Sequence, residues 1–482
     1  MKSKFKESSP GQGRNQGKSN SLVSSPDSRL LVANRATFTP PRIEQGFKET
    51  IAYCIMYSSD KYCLVDKLLI QYYKETKMTD TQQQEKYALL NRVFTPASPI
   101  LEKNLFAGRQ KQVAKILSAI TTPSQHAILY GERGIGKTSL ANVIPSYLGE
   151  ITDQNAIVTK VICTRDEDFK SLWKSTFDQI LLPRNQSQER MGYNYNGEQE
   201  NKIVTQKLSD YIQWEEEITA KKIGELLGKL RECSMLFIFD EFDTIQNTAT
   251  KRRFAEVIKT ISDQSSGCTI LLVGIGETIT DLIGEHQSIE RCLMQIPLQK
   301  MEDKELKEII ENGLSKLEIS TENTIKEEIV KLSQGLAYYT HLLCRYILED
   351  MIFQKKNLIG KNELTNGILR CVDNAQESIK NSYQLAVTSN KSTMFKDVLQ
   401  ACVLIKEDEY GTFKASDLQE PLSKIRGEEI RTEQYQHHIG KLCKQEKGSI
   451  LKRVGTKGNH RYKFRNPLFK TYVQLKVIAE KR

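Results

Sequence analysis

The segment Gly131–Thr138 has the composition and spacing of a phosphate-binding loop, in which three glycines precede a lysine and a threonine. It follows the short apolar run Ala127–Tyr130 and precedes the segment Ser139–Ile144, so the pattern predicts a strand, a glycine-rich loop and a helix. Glycines let successive backbone N–H groups surround phosphates, and the helix N-terminus adds positive potential. The segment therefore predicts binding of a nucleoside triphosphate, with ATP as the candidate.

The side chains of this loop suit separate roles. Lys137 would reach the β- and γ-phosphates, and the hydroxyl of Thr138 would bind Mg²⁺. The other predicted nucleotide contacts in the loop are Gly131, Gly134, Gly136 and Ser139.

A second apolar run, Met235–Phe239, is typical of a buried strand and ends in Asp240 and Glu241. In this Walker B arrangement Asp240 would hold Mg²⁺, and Glu241 would polarise the attacking water. Standing alone, such a run would be better interpreted as a strand followed by a solvated turn. The phosphate-binding loop about a hundred residues upstream favours the catalytic interpretation. Hydrolysis is therefore expected as well as binding.

The chain has 482 residues, and at ~150 residues per domain this length suggests about three domains. No apolar stretch approaches the ~18 to 20 residues of a membrane span, and no apolar segment follows the lysines at the N-terminus. Neither a signal peptide nor a membrane anchor is indicated. The ten cysteines are scattered without metal-binding spacing, which is typical of reduced thiols in a cytoplasmic protein.

Positive charge is concentrated at the two ends of the chain. Residues 1–50 carry nine Lys and Arg against four Asp and Glu, and residues 441–482 carry thirteen against two. Because the net charge is only +10, the middle is acidic. This distribution indicates contact with a polyanion through the ends, with nucleic acid the first candidate. For the N-terminal part, however, the composition favours a solvated disordered tail.

The patterns divide the chain into five regions. They are a disordered basic tail over 1–41, a helical extension over 42–93, an ATPase core over 94–301, a helical lid and connector over 302–391, and a last module over 392–482.

Elements within the first three regions follow from periodicity. A helix is predicted over Gly108–Ile120 and strands over Ala156–Ile162 and Thr269–Val273, while Tyr62–Tyr72 is helix-like. The polar stretch Pro183–Glu217 predicts a surface loop that leads into a charged helix.

The last module predicts a winged helix, because three helical patterns precede a basic hairpin. The helices are predicted over Met394–Leu404, Asp417–Ile425 and Glu433–Gln445, and the hairpin strands over Ser449–Val454 and His460–Phe464. Lysines and arginines on a wing would bind phosphates while the third helix rests in the major groove. The candidate DNA contacts are Gln434, Gln436, His437, Lys441 and Lys444 on the helix and Lys452, Arg453, Lys457, Arg461 and Lys463 on the hairpin.

Together these motifs resemble a known family. Leu105–Arg109, the phosphate-binding loop, Asp240–Glu241 and His286–Arg291 before Gln295–Leu298 are similar to the successive boxes of AAA+ ATPases of the origin-recognition type and their STAND-like bacterial relatives. The resemblance covers about residues 94–345. It implies an α/β fold of the ASCE class, with a five-stranded parallel sheet flanked by helices and followed by a helical lid. A C-terminal winged helix also matches origin-recognition ATPases.

The resemblance implies roles for residues outside the loop. Leu105 and Phe106 would lie beside the adenine, and Arg291 would act as an arginine finger on the nucleotide of a neighbouring subunit, which implies a homo-oligomer. The alternative for Arg291 is a surface ion pair with Glu285 or Glu290.

Two departures from the family pattern indicate a slow switch rather than a fast motor. No asparagine occupies the expected sensor position after Val273, so Glu277 or Thr278 would have to serve. Where the lid usually carries a sensor arginine, this chain offers Tyr338, Tyr339 and His341. His341 is predicted to contact the nucleotide, against the alternative of a satisfied core histidine.

These observations predict an ATP- and Mg²⁺-dependent AAA+ switch that associates with DNA through its winged helix. The alternative is a STAND-like signalling or antiphage-defence subunit that oligomerises and regulates a partner protein without touching DNA. In STAND proteins the winged helix can pack on the nucleotide, so the same module fits both hypotheses.

Overall fold

The fold is taken from a computed structural model, which describes residues 80–151, 156–183, 205–214, 217–229, 234–264, 267–276, 289–389, 394–408, 411–455 and 460–481. These residues all belong to one compact unit, Gln71–Arg482. Several predictions concern residues outside the described ranges: the tail over 1–41, Tyr62–Tyr72, Glu277, Thr278, Glu285 and Lys457.

A five-stranded parallel sheet forms the centre of the ATPase core. Its strands are β1 (His126–Gly131), β2 (Ile157–Ile162), β5 (Met235–Asp240), β6 (Cys268–Ile275) and β7 (Leu293–Leu298), and their order is β2-β5-β6-β1-β7. Two short antiparallel strands, β3 (Leu181–Pro183) and β4 (Thr205–Lys207), lie apart from it. The order places β6 between the strand that leads into the phosphate-binding loop and the strand that ends in Asp240. Both strands end at the same edge of the sheet, so the predicted α/β sheet is confirmed.

The strands form because their apolar runs are covered on both faces. On one face Leu140 and Ile144 pack against the sheet, and on the other Trp173 lies among phenylalanine rings, 5.5 Å from that of Phe239. The helices of this part of the chain are α1 (Asp80–Val93), α2 (Gln110–Thr121), α3 (Lys137–Ile151), α4 (Phe169–Phe177), α5 (Ala220–Lys229) and α6 (Thr248–Asp263).

The prediction that a charged helix starts before Glu217 is wrong. The chain instead forms β4 and a 3₁₀ turn at Leu208–Tyr211, and helix α5 begins only at Ala220. Leu208 and Trp214 are buried in the core, and β4 pairs with β3. Tertiary burial therefore overrides the helical preference of the charged residues.

A helical block, residues 303–387, follows the sheet. It contains α7 (Asp303–Leu317), α8 (Asn323–Ser333), α9 (Ala337–Phe353), α10 (Lys361–Asp373) and α11 (Glu377–Val387), with the two-residue strands β8 (Ser320–Thr321) and β9 (Leu358–Ile359) between them. The N-terminal end of α9 lies against the phosphate-binding loop, where the backbone N–H of Tyr338 donates to the carbonyl oxygen of Gly134 at 3.4 Å.

The C-terminal module, residues 394–481, has the predicted order of three helices and an antiparallel hairpin. Its elements are α12 (Met394–Leu404), α13 (Gln419–Arg426), α14 (Thr432–Leu442), β10 (Leu451–Val454), β11 (Arg461–Phe464) and α15 (Pro467–Glu480). Helix α15 was not predicted, although Asn466 caps it and Pro467 occupies its first turn. Across all the helices within the described ranges, none is both long enough and apolar enough for a membrane-spanning segment.

Candidate functional site

A cavity of about 620 Å³ opens at the edge of the sheet where β1, β5 and β6 end. Its lining includes the segment Thr95–Ile100, which the sequence patterns did not single out. The cavity brings together most of the predicted site: Gly134, Gly136, Lys137, Thr138, Ser139, Asp240, Glu241 and His341.

The backbone of the loop requires glycine at two positions. A Cβ at Gly131 would lie 2.3 Å from the carbonyl oxygen of Leu298 on β7, which no side chain tolerates. Gly136 has φ 94°, a conformation that residues with a Cβ rarely adopt. These two glycines therefore let the loop curl between the sheet and α3.

Lys137 is held inside the loop. Its Nζ donates to the carbonyl oxygens of Gly131 at 3.0 Å and Glu132 at 2.7 Å, and burial lowers its pKa to about 8. Triphosphate oxygens are stronger acceptors than these carbonyls and would stabilise the charged ammonium. Lys137 is therefore placed to exchange backbone partners for phosphates.

Thr138 and Asp240 meet across α3 and β5. The hydroxyl of Thr138 donates to Oδ1 of Asp240 at 3.4 Å, and the Asp240 side chain is buried. Hydroxyl and carboxylate oxygens are the hard donors that Mg²⁺ prefers, and Mg²⁺ commonly completes its shell with waters and phosphates. The pair fits the predicted Mg²⁺ site. Lys160 of β2, which sequence reasoning missed, lies at this site with its Nζ 2.8 Å from Oδ2 of Asp240.

Two further acids line the cavity. Glu241 is exposed and has a left-handed backbone, φ 55°, at the start of the 3₁₀ turn Phe242–Thr244. Asp243, also missed from the sequence, accepts the backbone N–H of Ile275 at 2.7 Å. Asp243 thus ties the acidic turn to the end of β6, where the expected sensor asparagine is absent.

A smaller cavity of about 40 Å³ adjoins the first. Leu105 and Phe106, predicted to flank the base, line it together with Met301 and His341. The two cavities share Ile100, Gly136, Ser139, Ala337 and His341. This arrangement suits a nucleotide whose phosphates lie in the larger cavity and whose base lies toward the apolar one.

His341 is buried between these cavities. Burial lowers its pKa to about 4, so its imidazole is neutral near pH 7, and its ring meets that of Phe94 edge-on at 5.8 Å between centroids. Its Nδ1 has no hydrogen-bond partner among the described residues. Of the neighbouring tyrosines, Tyr338 lines the larger cavity, whereas Tyr339 points away and donates to the carbonyl oxygen of Leu468 at 2.8 Å.

Backbone hydrogen bonds hold the walls of both cavities. Ser139, predicted to bind nucleotide, accepts the N–H of Ile100 at 3.0 Å, which ties the segment over the cavity to the loop. Arg109 is buried, and its Nη2 donates to the carbonyl oxygens of Ile135 at 3.3 Å and Gln299 at 2.8 Å. Arg109 thus supports the loop from behind, a role that its place in the Leu105–Arg109 box did not reveal.

Arg291 lies outside both cavities of its own chain. It forms an ion pair with Asp263, at 2.9 Å between Nη2 and Oδ1, and its side chain is 73% exposed. The partner differs from both acids considered from the sequence. Its role as a finger in a neighbouring subunit stays a prediction.

Two of the cations assigned to a DNA-binding wing are held within the chain. The Nζ of Lys463 lies 2.8 Å from Oε1 of Glu132 in the phosphate-binding loop, and the lysine is buried. The Nη2 of Arg461 lies 2.8 Å from Oδ2 of Asp408. In this conformation Lys463 is therefore not available to DNA, because its ammonium is buried against Glu132.

Other predicted DNA contacts face solvent. Gln436, His437, Lys444 and Arg453 are exposed, and Lys441 is half-buried. Within the described ranges, Lys441, Lys444 and Arg453 take part in no ion pair. The side chain of Gln434 instead accepts the backbone N–H of Arg431 at 2.6 Å and caps α14.

Comparison with protein families gives a match to this chain. The family model for "Novel STAND NTPase 1" matches residues 100–438, which include the loop, the Asp240–Glu241 pair and His341. No curated protein matches the chain.

Solved structures that are similar in fold to this one include the following three. The Walker-type ATPase of Pyrococcus abyssi is 15% identical, covers 78% of this chain and 99% of its own, and has a TM-score of 0.47. The ORC2 protein of Aeropyrum pernix is 13% identical, covers 84% of this chain and 96% of its own, and has a TM-score of 0.42. The Thermotoga maritima RuvB Holliday junction branch migration motor is 17% identical, covers 78% of this chain and 97% of its own, and has a TM-score of 0.38. The family model for Novel STAND NTPase 1 matches more than half of the sequence, and the matched part contains the phosphate-binding loop. The chain therefore belongs to the Novel STAND NTPase 1 family and is a P-loop NTPase of the STAND type.

Proposed function

We propose that the protein is an ATP-hydrolysing switch whose C-terminal module docks on the phosphate-binding loop and is released or retained according to the bound nucleotide. The main observation that supports this proposal is the ion pair between Lys463 of the hairpin and Glu132 of the loop. Its two side chains are 11% and 24% exposed, so the pair is shielded from solvent screening. This contact favours the signalling hypothesis over the DNA hypothesis.

Two further contacts support the docking. The side chain of Leu468 reaches the loop, where a Cβ at Gly134 would lie 3.1 Å from its Cδ2. The side chain of Glu407 is only 11% exposed and lies between two lysines, with Lys300 just after β7 at 2.8 Å and Lys470 of α15 at 3.1 Å. These lysines lower the pKa of Glu407 against the effect of its burial, so the carboxylate stays charged and joins the module to the core.

Glu132 links the nucleotide site to the module. Its backbone carbonyl accepts from Lys137, while its carboxylate pairs with Lys463. When phosphates draw Lys137 away from this carbonyl, the Glu132 backbone loses a restraint and is free to reorient. The state of the phosphates would in this way be transmitted to the C-terminal module.

The hydrolytic chemistry uses the groups at the sheet edge. Lys137 would neutralise the transferring phosphoryl group, and Glu241 would orient and polarise the attacking water. Mg²⁺ held by Thr138 and Asp240 would supply charge neutralisation on the β- and γ-phosphates. In an oligomer, Arg291 of a neighbouring copy would complete the site.

The docking is tested by reversing its charges. We expect Lys463→Glu to release bound fluorescent ADP about ten-fold faster, since a shielded charge pair contributes about 1.5 to 3 kcal/mol and its loss leaves Glu132 facing a like charge. Stopped-flow displacement with excess ATP measures the rate. The double variant Glu132→Lys with Lys463→Glu should restore slow release. Lys444→Glu is the control, because Lys444 is exposed on the same module. Equal release rates for wild type and Lys463→Glu would contradict the docking proposal.

Association with DNA is the second candidate function. The exposed Gln436, His437, Lys444 and Arg453 favour it, because they provide polar and cationic groups on one module. If Lys441, Lys444 and Arg453 each neutralise one phosphate, reversing all three should flatten the dependence of log affinity on log salt by about 2.7 units, at ~0.9 per contact. Fluorescence anisotropy with duplex DNA, with and without ATP, measures it. No wild-type binding at low salt would eliminate this candidate.

A further inference from the structure

Lys160 occupies a position from which it can compete with a metal ion. Strand β2 pairs with β5 so that Ile162 lies opposite Asp240, and side chains two residues apart share a face of a strand. Lys160 therefore points to the same face as Asp240, toward α3. Its Nζ lies 2.8 Å from Oδ2 of Asp240 and 2.5 Å from Oδ1 of Asn142 on α3.

The second partner of Lys160 is itself fixed. The Nδ2 of Asn142 donates to the carbonyl oxygen of Ile100 at 3.2 Å, which directs its Oδ1 toward the lysine. Because Asn142 can hold the ammonium by itself, Lys160 can release Asp240 without losing all of its hydrogen bonds. Lys160 can therefore lose its ion pair with Asp240 and still stay in place through Asn142.

We propose that Lys160 is an internal counter-ion that balances Asp240 when no metal is bound and lowers the affinity of the site for Mg²⁺. This inference rests on the proposed nucleotide site. A buried carboxylate without a counter-charge is strongly unfavourable, and the ammonium near Oδ2 balances its charge. Once Mg²⁺ coordinates Asp240, the ammonium shares that carboxylate with a divalent cation and repels it. The site would thereby bind Mg²⁺ more weakly than the same oxygens would without Lys160.

The test is a Mg²⁺ titration of nucleotide binding by the full-length protein, followed with fluorescent ADP in EDTA and then at rising free Mg²⁺. We expect Lys160→Met to lower the half-saturating Mg²⁺ concentration about ten-fold, and Lys160→Gln to lower it similarly. Lys160→Arg keeps the charge and should leave it unchanged. Lys174→Met, an exposed lysine on α4, is the matched control.

The outcomes separate this inference from the proposed function. An unchanged or raised half-saturating concentration in a folded neutral variant would overturn the competition and leave Lys160 as a group that positions Asp240. Wild-type protein that binds no nucleotide at any Mg²⁺ concentration would overturn the nucleotide site itself and the inference with it. A half-saturating Mg²⁺ concentration that falls in Lys160→Met and Lys160→Gln, but not in Lys160→Arg or Lys174→Met, would support the competition.

Discussion

Lys137→Ala should abolish ATP binding, with a loss of about 100-fold or more in affinity. The side chain carries the ammonium that is placed to reach the triphosphate, and charge-assisted hydrogen bonds contribute about 1.5 to 3 kcal/mol each. Its present partners are only the carbonyls of Gly131 and Glu132, and its lowered pKa shows that burial opposes its charge. Removing it should therefore weaken nucleotide binding without destabilising the nucleotide-free protein.

Isothermal titration calorimetry measures the affinity, and the thermal unfolding midpoint without nucleotide reports on the fold. Lys115→Ala is a suitable control, because Lys115 is exposed on α2. Wild-type affinity in the Lys137→Ala variant would refute the assignment of the phosphate-binding loop. A large fall in the unfolding midpoint would show that the lysine is structural.

Glu241→Gln should bind ATP normally but hydrolyse it at least about 100-fold more slowly, because general-base assistance contributes ~10²- to 10⁴-fold. The substitution leaves Thr138 and Asp240 in place, so coordination of Mg²⁺ should persist. Turnover is measured by phosphate release, and the nucleotide extracted from the purified variant should be the triphosphate.

Asp243→Asn distinguishes Asp243 from Glu241, the two acids at the 3₁₀ turn that line the cavity beside Asp240. An asparagine can still accept the N–H of Ile275 through its amide oxygen, so this variant should retain the local structure and hydrolyse ATP at a rate within a few-fold of wild type. The opposite pattern, with activity lost in Asp243→Asn and kept in Glu241→Gln, would transfer the role of base to Asp243.

The phosphate-binding loop and the acids after β5 could be predicted because each depends on a short stretch of sequence. The apolar runs Ala127–Tyr130 and Met235–Phe239 become strands, and the residues after them come together at one edge of a parallel sheet whatever the rest of the fold does. For these two segments the local sequence pattern also fixes the position in the fold, so the residue types alone were sufficient to predict where the loop and the acids lie.

The contacts of Lys160 and Lys463 could not be predicted in the same way. Each is a lysine in a short strand, and its partner is an acid on a distant segment, Asp240 or Glu132. A basic strand pattern does not distinguish a lysine that faces solvent from one that faces a buried acid. The assignment of Lys463 to a DNA-binding surface was wrong for the docked conformation for this reason.

The small size of the second cavity bears on how quickly a nucleotide can load. At about 40 Å³ it is far smaller than the cavity beside it, so we expect Leu105, Phe106 and Ile100 to move apart when a base enters. Only the fraction of molecules in which these walls have separated can accept the base, and the apparent association rate falls by that fraction. The Ile100 wall is kept in place by its N–H, which donates to the hydroxyl of Ser139, and by its carbonyl oxygen, which accepts from Nδ2 of Asn142. A freshly emptied molecule would thus remain refractory for a time, even when ATP is abundant.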